Sequence, residues 1–528
     1  MNRRDFVSTV TLGLAAGLPT FAEKGIAHEA RNADANVIVP ASSRATSPIG
    51  RLEFASALEA AEAIRKKHIS SFELTQQTFA RIDKYNPKLN AFAYQLREEA
   101  LARAKHADEV QASGKSLGVL HGVPVHVKES FAVAGHPCTW GIPALKASKA
   151  PSNSEVVARF LSAGAVLIGA TNVPLGLADW QSYNQIYGTT NNPWDVKRSP
   201  GGSSGGSAAA LAAGLGYLSV GSDIGGSIRV PAHFCGVYGH KPTLDLVDMQ
   251  GHLPGGEHEN PGFSTLLAVG GPLARSAEDL LAALRFLGGP TGYSAKAWKW
   301  DAPPARHESL QEFRVGYILD DPYCPVTPET KAVLETTIQK LEKAGAKLKP
   351  GWPAGFKIEE LYQNYNFLLD AFTFSVEPAE QQDGERKEAA ASGKVLPGLA
   401  SFADWQQQNF RRLGYRAQWQ NYFDEVDVFL SPVAFTSAFL HDHSEPHDKR
   451  TIMTVRGPRA YDDMERWIAH ATLTGCPATI APVGRDKDGL PVGLQIMGPY
   501  WEDATPIIFA KLLAQVLGGF VAPPGYEG

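Results

Sequence analysis

The sequence predicts a single large α/β domain built around a mainly parallel or mixed sheet. Short β-branched runs at residues 123–127 and 165–168 alternate with segments of helical spacing, such as residues 154–163. Strands that alternate with helices in this way are typical of a sheet covered by helices. The 528 residues show no internal repeat and no clean domain boundary, and 44% hydrophobic with 20% charged residues is the balance of a soluble globular protein.

The first residues predict an export signal. Arg3 and Arg4 precede an uncharged stretch at residues 6–22, which is too short and too rich in Gly, Ser and Thr for a membrane span, since a span needs about 20 mostly apolar residues. We therefore expect residues 1–27 to be a cleaved signal that leaves no stable membrane span. The paired arginines favour twin-arginine export to the periplasm or the medium of a bacterium. An ordinary Sec signal and a retained anchor are the alternatives.

The folded domain is expected to begin after a polar leader. Residues 28–50 are rich in serine and carry two prolines, which favours an extended leader or linker before a domain at residues 51–524. Apolar residues then recur at helical spacing over residues 54–100, and Ser70 with Glu73 forms a predicted capping box.

Later segments predict further elements of the same domain. Residues 208–213 have high helix propensity, residues 314–318 have the pattern of a strand, and residues 328–344 have the pattern of a helix. We expect residues 290–310 and 380–400 to be loop-rich insertions.

Charge and cysteine usage exclude several classes of partner. The formal net charge is only −5 and the basic residues are scattered, so no basic stripe could neutralise a nucleic-acid backbone. The cysteines have no CxxC or Cys/His ligand spacing, which predicts no metal site. They are expected to be reduced and buried, although an oxidising compartment could pair two of them. The cysteines are Cys138, Cys235, Cys324 and Cys476.

Three glycine-containing stretches, at residues 122–129, 200–207 and 221–231, carry the candidate chemistry. A serine between glycines can lie where backbone amides converge on a developing oxyanion, because glycine permits a close approach of main chain to substrate. Glycines that only allow tight turns are the alternative for any one stretch. The candidate amide donors are Ile224, Gly225, Gly226 and Ser227.

Lys128 ends an apolar, strand-like run, and Glu129 is expected on the opposite face. A lysine there is either a snorkelling surface residue or a base. To act as a base near neutral pH, its pKa must fall by about 3 units, which corresponds to roughly 4 kcal/mol of selective destabilisation of the ammonium. Burial without a carboxylate partner could supply that shift.

Together, the tracts at residues 199–210, 221–231 and 234–243 resemble the signature of the amidase signature family. The likeness extends upstream to residues 120–128 and downstream to residues 488–499. It implies a mixed sheet flanked by helices and a Ser-Ser-Lys mechanism that needs no cofactor.

The resemblance assigns roles residue by residue. Ser227 would be the nucleophile, Ser203 the bridging serine after a cis peptide bond, and Lys128 the base, 75 residues before Ser203 (203 − 128). The amides of residues 224–227 would form the oxyanion hole. The supporting residues would be Gly202, Ser204, Asp223 and Arg229.

The chain departs from the family pattern at a few positions. Glu129 stands where Asp is common, His240 where Leu is common, and Leu175 with Gly176 replaces a frequent acidic-aromatic pair. None of these positions belongs to the triad, and the last borders the expected acyl site, so the departures concern substrate choice.

The sequence therefore predicts a serine amidohydrolase of small-molecule amides, with a homodimer among the assemblies it permits. An esterase or carbamate hydrolase on the same triad, or a catalytically silent binding protein, are the alternatives. Proteins that deliver ammonia to charged tRNA have a similar core, but the export signal argues against that function. Aromatic residues that either line the acyl pocket or belong to the core are Trp140, Trp180, Tyr183 and Tyr187.

Two other motifs have competing interpretations. Residues 201–206 also satisfy G-x-S-x-G, but a nucleophile elbow should follow a strand directly, and residues 195–200 are polar and end in proline. His441, His443 and His447 lie among acidic residues, and we interpret them as part of a solvated loop because they lack the spacing of a helical metal motif.

Overall fold

An 11-stranded mixed sheet forms the centre of the molecule. The computed structural model describes residues 52–256, 266–377, 379–393 and 395–527. The predicted export signal and leader, at residues 1–27 and 28–50, lie outside the described residues. The strands, in chain order, are β1 Phe92–Gln95, β2 Pro124–Lys128, β3 Val166–Thr171, β4 Tyr183–Asn184, β5 Gly188–Thr189, β6 Leu218–Asp223, β7 Tyr238–Lys241, β8 Val269–Ala274, β9 Arg314–Tyr317, β10 Lys347–Pro350, β11 Val428–Pro432, β12 Thr451–Thr454, β13 Gly457–Ala460, β14 Ala478–Arg485 and β15 Pro491–Met497.

The strand order in the main sheet is β1-β3-β2-β6-β8-β7-β14-β15-β11-β9-β10. Strands β3, β2 and β6 run parallel, as do β11, β9 and β10, and the other neighbours are antiparallel. Two small hairpins, β4 with β5 and β12 with β13, lie outside this sheet. The predicted α/β class with a mixed sheet is confirmed.

Helices flank the sheet and bury its two faces. The α-helices are α1 Ala57–Arg65, α2 Ser71–Leu89, α3 Arg97–Ala112, α4 Glu155–Ser162, α5 Gly205–Ala212, α6 Arg229–Cys235, α7 Ala277–Leu287, α8 Ser294–Ala297, α9 Pro328–Lys343, α10 Ile358–Val376, α11 Ala379–Ser392, α12 Phe402–Tyr422, α13 Ala469–Thr474 and α14 Ala504–Leu517. Helices α1, α4, α7, α9 and α14 share one apolar cluster with the sheet, α5 and α6 belong to a second, and α10, α12 and α13 to a third.

Local sequence signals explain where several helices begin. The side chains of Ser70 and Glu73 form the predicted capping box at the start of α2, and Ser56 with Glu59 forms another at α1. Helix α9 starts at Pro328, whose missing N–H costs nothing in the first turn. The predicted capping box of Ser70 with Glu73 and the helix expected at residues 328–344 are confirmed. The helical pattern expected over residues 54–100 is wrong near its end, where strand β1 lies.

The expectation of a loop-rich insertion at residues 380–400 is wrong over most of its length. Helix α11 covers residues 379–392, and a 3-10 turn follows at Pro397–Leu399. The segment consists mainly of good helix formers, Ala, Glu, Gln and Lys, yet it has no continuous apolar stripe. The spacing of apolar residues therefore did not indicate a helix here, whereas the helix propensities of the residues did.

The parallel arrangement positions the site. Because β2, β3 and β6 run in one direction, their carboxyl ends lie at the same edge of the sheet, and β2 pairs with β6 through His126 and Ser219. Lys128 is the last residue of β2 and Asp223 the last of β6. The glycine-rich stretches that follow these strands or precede α5 therefore meet at this edge.

The described part of the chain also bears on membrane spans and on the state of the cysteines. No helix there has both the length and the apolar character needed to cross a membrane. All four cysteines lie within the described ranges, each is buried, and no disulfide joins any of them. The packed chain also extends two residues beyond the predicted domain end, because Tyr526 is buried against Tyr85.

Candidate active site

Lys128 is the centre of a buried hydrogen-bonded group. Its ammonium lies at the carboxyl end of β2 and donates to Ser203 Oγ at 2.6 Å and to Ser222 Oγ at 2.9 Å. The side chain has no exposed surface. Lys128 is thus not the snorkelling surface residue that the sequence left open.

Burial decides the protonation of this lysine. It lowers the pKa of Lys128 to about 7, and the carboxylate of Asp223 opposes the shift only in part. Both hydrogen-bond partners of the ammonium are neutral hydroxyls, so neither compensates the lost hydration as a carboxylate would. At neutral pH a large fraction of Lys128 is therefore unprotonated and able to accept a proton.

Ser203 lies directly after a cis peptide bond that joins it to Gly202, as the resemblance implied. The backbone here is tightly enclosed, since a side chain on Gly202 would meet the carbonyl oxygen of Asp179 at 2.2 Å and that of Gln181 at 2.7 Å. Only glycine fits at this position. Ser203 itself is 1% exposed.

Ser204 connects the two serine loops. Its amide donates to Ser227 O at 3.2 Å, and its hydroxyl donates to Ser222 O at 3.4 Å. Ser227 lies between β6 and α6, and it is the most exposed of the three predicted triad residues, at 7%. Among the described residues, the hydrogen bonds of Lys128 reach Ser203 and Ser222 and none extends to Ser227 Oγ.

Asp223 and Arg229 brace the loop that contains Ser227. Both side chains are fully buried and form a paired contact, with Arg229 donating to both carboxylate oxygens at 2.8 and 3.0 Å. The carboxylate also accepts from the amides of Gly226 and Ile228, each at 3.0 Å. The pKa of Asp223 is lowered because Arg229 and these donors outweigh the desolvation of the buried carboxylate.

The four candidate oxyanion donors are therefore not equivalent. The amide of Gly226 donates to Asp223, whereas within the described chain the amides of Ile224, Gly225 and Ser227 have no intramolecular acceptor. Three of the four amides are available to an incoming oxygen in this geometry. The physical reason is that the carboxylate of Asp223 competes with an incoming oxygen for the Gly226 amide.

Two side chains hold the carbonyl groups of the same loop. Trp180 Nε1 donates to Gly225 O at 2.9 Å, and Tyr365 OH donates to Ile224 O at 3.0 Å. Of the aromatic residues considered in the sequence, Trp180 therefore supports the loop at residues 224–227, which is called the oxyanion loop below. Glu129 instead accepts hydrogen bonds from the backbone amide of Trp140 at 2.9 Å and from the hydroxyl of Tyr187 at 3.1 Å.

Glu129 is a second buried titratable group beside Lys128. Its carboxyl accepts hydrogen bonds from Thr139 N and Oγ1, both at 2.7 Å, in addition to those from Trp140 and Tyr187. Burial raises the pKa of Glu129 to about 7 against the opposing effect of these donors. The carboxyl thus anchors residues 139–141 next to the site.

The histidine-rich segment does not converge on one point. His441 bonds to Asn191 at 3.1 Å, and the ring of His443 stacks on Tyr183 with centroids 3.6 Å apart. In the described part of the chain, no group of three or more His, Cys, Asp or Glu side chains could hold a metal ion. Residues 195–200 contain turns and one isolated bridge, so no strand leads into the serines as a nucleophile elbow requires.

Sequence reasoning missed Ser222, Trp180 as a loop support, and Tyr365. Ser222 stands within the glycine-rich stretch at residues 221–231, so its position beside the motif was a usable signal. Nothing local marks the other two, because Tyr365 lies 141 residues from Ile224 and Trp180 lies 45 residues from Gly225.

Comparison with known proteins finds similarity over most of the chain. A family model described as Amidase matches residues 73–506. An indoleacetamide hydrolase of Bradyrhizobium diazoefficiens is 32% identical over 456 residues, which cover 85% of this chain and 84% of the relative. A glutamyl-tRNA(Gln) amidotransferase component from a Cyanothece species is 30% identical over 477 residues, covering 84% and 94%.

A solved structure described as a crystal structure of amidase has the same architecture. It superposes with a TM-score of 0.72 at 27% identity, and the match covers 88% of this chain and 100% of the other. The similarity thus spans most of the chain and is not confined to a local motif.

Proposed function

From the premise that this chain belongs to the amidase family and is an amide-cleaving hydrolase, we propose that Ser227 is its nucleophile, Ser203 its proton relay and Lys128 its base. The observation that carries the proposal is the 2.6 Å contact between a fully buried lysine, with a pKa of about 7, and Ser203 Oγ. A lysine that is neutral at physiological pH can start proton transfer without help from a carboxylate.

Acylation follows from this chain of groups. Lys128 takes the Ser203 hydroxyl proton, Ser203 takes the proton of Ser227, and Ser227 Oγ bonds to the substrate carbonyl carbon. The carbonyl oxygen becomes an oxyanion facing the amides of residues 224–227, of which Ile224, Gly225 and Ser227 carry amides without an acceptor among the described residues.

The same groups then release the amine. The ammonium of Lys128 returns the proton through Ser203 to the amide nitrogen, and the C–N bond breaks as a neutral amine or ammonia leaves. Water attacks the acyl-enzyme by the reverse path, giving its proton to the relay and releasing the acid. No step requires a cofactor.

A covalent label tests the nucleophile. Purified protein is treated with a fluorophosphonate probe and the adduct is located by mass spectrometry, with Lys128→Ala as the matched variant. We expect labelling at Ser227 that depends on Lys128. Labelling at Ser203 or Ser204 would contradict the assignment and favour an elbow-type esterase.

We propose a small-molecule primary amide with an arylacetyl group as the substrate. Support comes from the indoleacetamide hydrolase, whose similarity covers 85% of this chain. Indoleacetamide is therefore the first compound to assay, by ammonia release, with Ser227→Ala as the blank. Hydrolysis of anilides without any release of ammonia from indoleacetamide would contradict this choice and indicate an aryl amide instead.

We also propose that the protein is exported to the periplasm or the medium. The support is the paired Arg3 and Arg4 before an uncharged stretch. Amino-terminal sequencing of the protein from its native host should give a mature start near residue 28. A start at Met1 in the cytoplasmic fraction would contradict export. Unchanged export of the double variant Arg3→Lys/Arg4→Lys would contradict the twin-arginine route and favour an ordinary Sec signal.

The partner is then a small molecule and not a tRNA complex. The similarity to an amidotransferase component leaves that second function to be tested, and export opposes it because charged tRNA is cytoplasmic. Sedimentation of the purified protein is expected to give a monomer or a homodimer. Co-purification of other protein components from the native host would instead support the amidotransferase function.

A further inference from the structure

A four-residue segment, 179–182, lies between the two catalytic loops and a distant loop at residues 441–450. Its residues are Asp, Trp, Gln and Ser in that order. All four side chains are buried. The hydrogen bonds of their side chains alternate along the chain, so that those of Asp179 and Gln181 reach the distant loop and those of Trp180 and Ser182 reach the catalytic loops.

Asp179 and Gln181 hold the distant loop. The carboxylate of Asp179 accepts from Arg450 at 2.8 Å and from the hydroxyl of Tyr461 at 2.5 Å. The amide of Gln181 exchanges two hydrogen bonds with the backbone of Asp442, at 2.5 and 2.9 Å. On the side away from the catalytic loops, the segment is therefore held by several groups that have no part in the proposed proton relay.

Trp180 and Ser182 hold the catalytic loops. Ser182 Oγ donates to Gly201 O and accepts from Gly205 N, both at 3.1 Å, so it spans the turn that carries Ser203. The indole N–H of Trp180 reaches the other loop, at Gly225 O. One short segment thus contacts the backbone on both sides of the site.

One peptide group of the loop at residues 224–227 is held at both of its ends. Gly225 C=O and Gly226 N–H belong to the same peptide, and the first is held by Trp180 while the second is held by Asp223. The next carbonyl, Gly226 O, accepts from Val230 N at 2.7 Å. A trans peptide directs its N–H opposite to its C=O. The N–H of Gly225 therefore points away from Tyr365, which holds Ile224 O at 3.0 Å, and the N–H of Ser227 points away from Val230, which holds Gly226 O.

We propose that Trp180 is a positioning residue for the oxyanion hole: its indole N–H sets the peptide between the two donor amides of Gly225 and Ser227. The inference rests on the proposed function, since it assumes attack by Ser227. Trp180 touches no reacting atom. It acts through the backbone, and residues 179–182 connect that backbone to the 441–450 loop.

The test removes the N–H and keeps the ring. In Trp180→Phe we expect the limiting inactivation rate, kinact, of a fluorophosphonate probe to fall about tenfold, which is less than the 100-fold or greater loss from deleting a donor itself. The half-saturating probe concentration should change less than about twofold, because probe binding before attack does not use the oxyanion donors. Labelling at Ser227 should still reach completion, and the pH midpoint of labelling should not move. A loss that came only from poor folding would instead lower the labelled fraction.

Trp194→Phe is the matched control. Its indole N–H donates to Cys235 O at 3.0 Å, the same kind of bond outside the oxyanion loop, and we expect its kinact to equal that of the wild type. If Trp180→Phe folds poorly, site-specific replacement of Trp180 by 3-benzothienylalanine removes the N–H while preserving the ring shape. Equal kinact in the Trp180 and Trp194 variants, with Ser227 labelled in both, would overturn this inference and leave the proposed function intact. Absence of label at Ser227 in the wild type would overturn both.

Discussion

Lys128 and Glu129 are adjacent in the chain and both fully buried, yet their side chains do not pair with each other. The ammonium bonds to Ser203 and Ser222, and the carboxyl bonds to groups of residues 139, 140 and 187. Burial acts on the two groups in opposite directions, lowering the pKa of Lys128 and raising that of Glu129, so that both lie at about 7. Separation keeps the lysine able to lose its proton, since a salt bridge would stabilise the ammonium.

This pair predicts how kcat/KM falls toward low pH, which is the acid limb of the pH–rate profile. The base form of Lys128 is present above its pKa, so kcat/KM should rise with pH through a midpoint near 7 and level off above it. Glu129 ionises in the same range, and therefore Glu129→Gln decides which group is responsible. We expect this variant to lose about tenfold in rate, the equivalent of one weakened hydrogen bond to a charged group, but to keep the limb near pH 7. Disappearance of the limb would assign it to Glu129.

A second variant isolates the protonation of the base. Lys128→Arg keeps a positive charge and hydrogen-bond donors at the same position, but a guanidinium does not lose its proton in proteins. We expect no measurable amide turnover at any pH from about 6 to 10, a range that lies below the guanidinium pKa. Activity that returned at high pH would contradict a role for Lys128 as the base.

The sequence predicted the groups of this site better than their supports. Each of the three proposed triad residues, Lys128, Ser203 and Ser227, lies in a short glycine-containing motif that can be recognised from its own sequence. The parallel strands β2 and β6 bring those motifs to one edge of the sheet. Capping boxes and β-branched runs likewise act over a few residues. These features follow from local chemistry, so the sequence alone could indicate them.

The remaining features depend on contacts between distant parts of the chain. Strand β11 pairs with β9 and β15, an order that no single segment encodes. The indole of Trp180 belongs to the second apolar cluster, as one of the two sequence interpretations expected, and its additional bond to Gly225 O could not be inferred from the sequence. Competition between Asp223 and a substrate oxygen for the Gly226 amide also requires the folded geometry.

The buried base predicts a measurable cost in stability. The folded pKa of Lys128 is about 7 and the unfolded value is about 10.4, so the unfolded state binds more protons between these values. Stability therefore rises with pH across that window, and the full cost, on the order of 4 kcal/mol, applies below about pH 7. Lys128→Met should exceed the wild type in free energy of unfolding at about pH 6 and lose most of that advantage by about pH 10, as measured by urea denaturation. A constant difference between the two proteins would contradict a depressed pKa.

Arg450 should be required for the stability of the folded chain. It pairs with Asp179 at 2.8 Å, and both side chains are almost completely buried. Arg450→Met leaves that carboxylate without its cation, which typically costs about 3–5 kcal/mol. The exposed pair of Arg386 and Asp383 offers the control, because Arg386→Met should change the unfolding free energy by less than about 1 kcal/mol. Equal effects of the two variants would show that the 441–450 loop is not anchored through Asp179.

Ser222 sets the final prediction, because it accepts a hydrogen bond from the ammonium of Lys128 at 2.9 Å. An acceptor favours the charged form, so Ser222→Ala should lower the pKa of Lys128 further and move the acid limb of kcat/KM to lower pH by about one unit. The plateau rate should also fall, since the lysine then has only Ser203 to orient it. The matched variant Ser219→Ala, on the same strand, should leave the limb at its original midpoint. A limb that moved to higher pH in Ser222→Ala would mean that the hydroxyl stabilises neutral Lys128, and the direction of this hydrogen bond would have to be reversed.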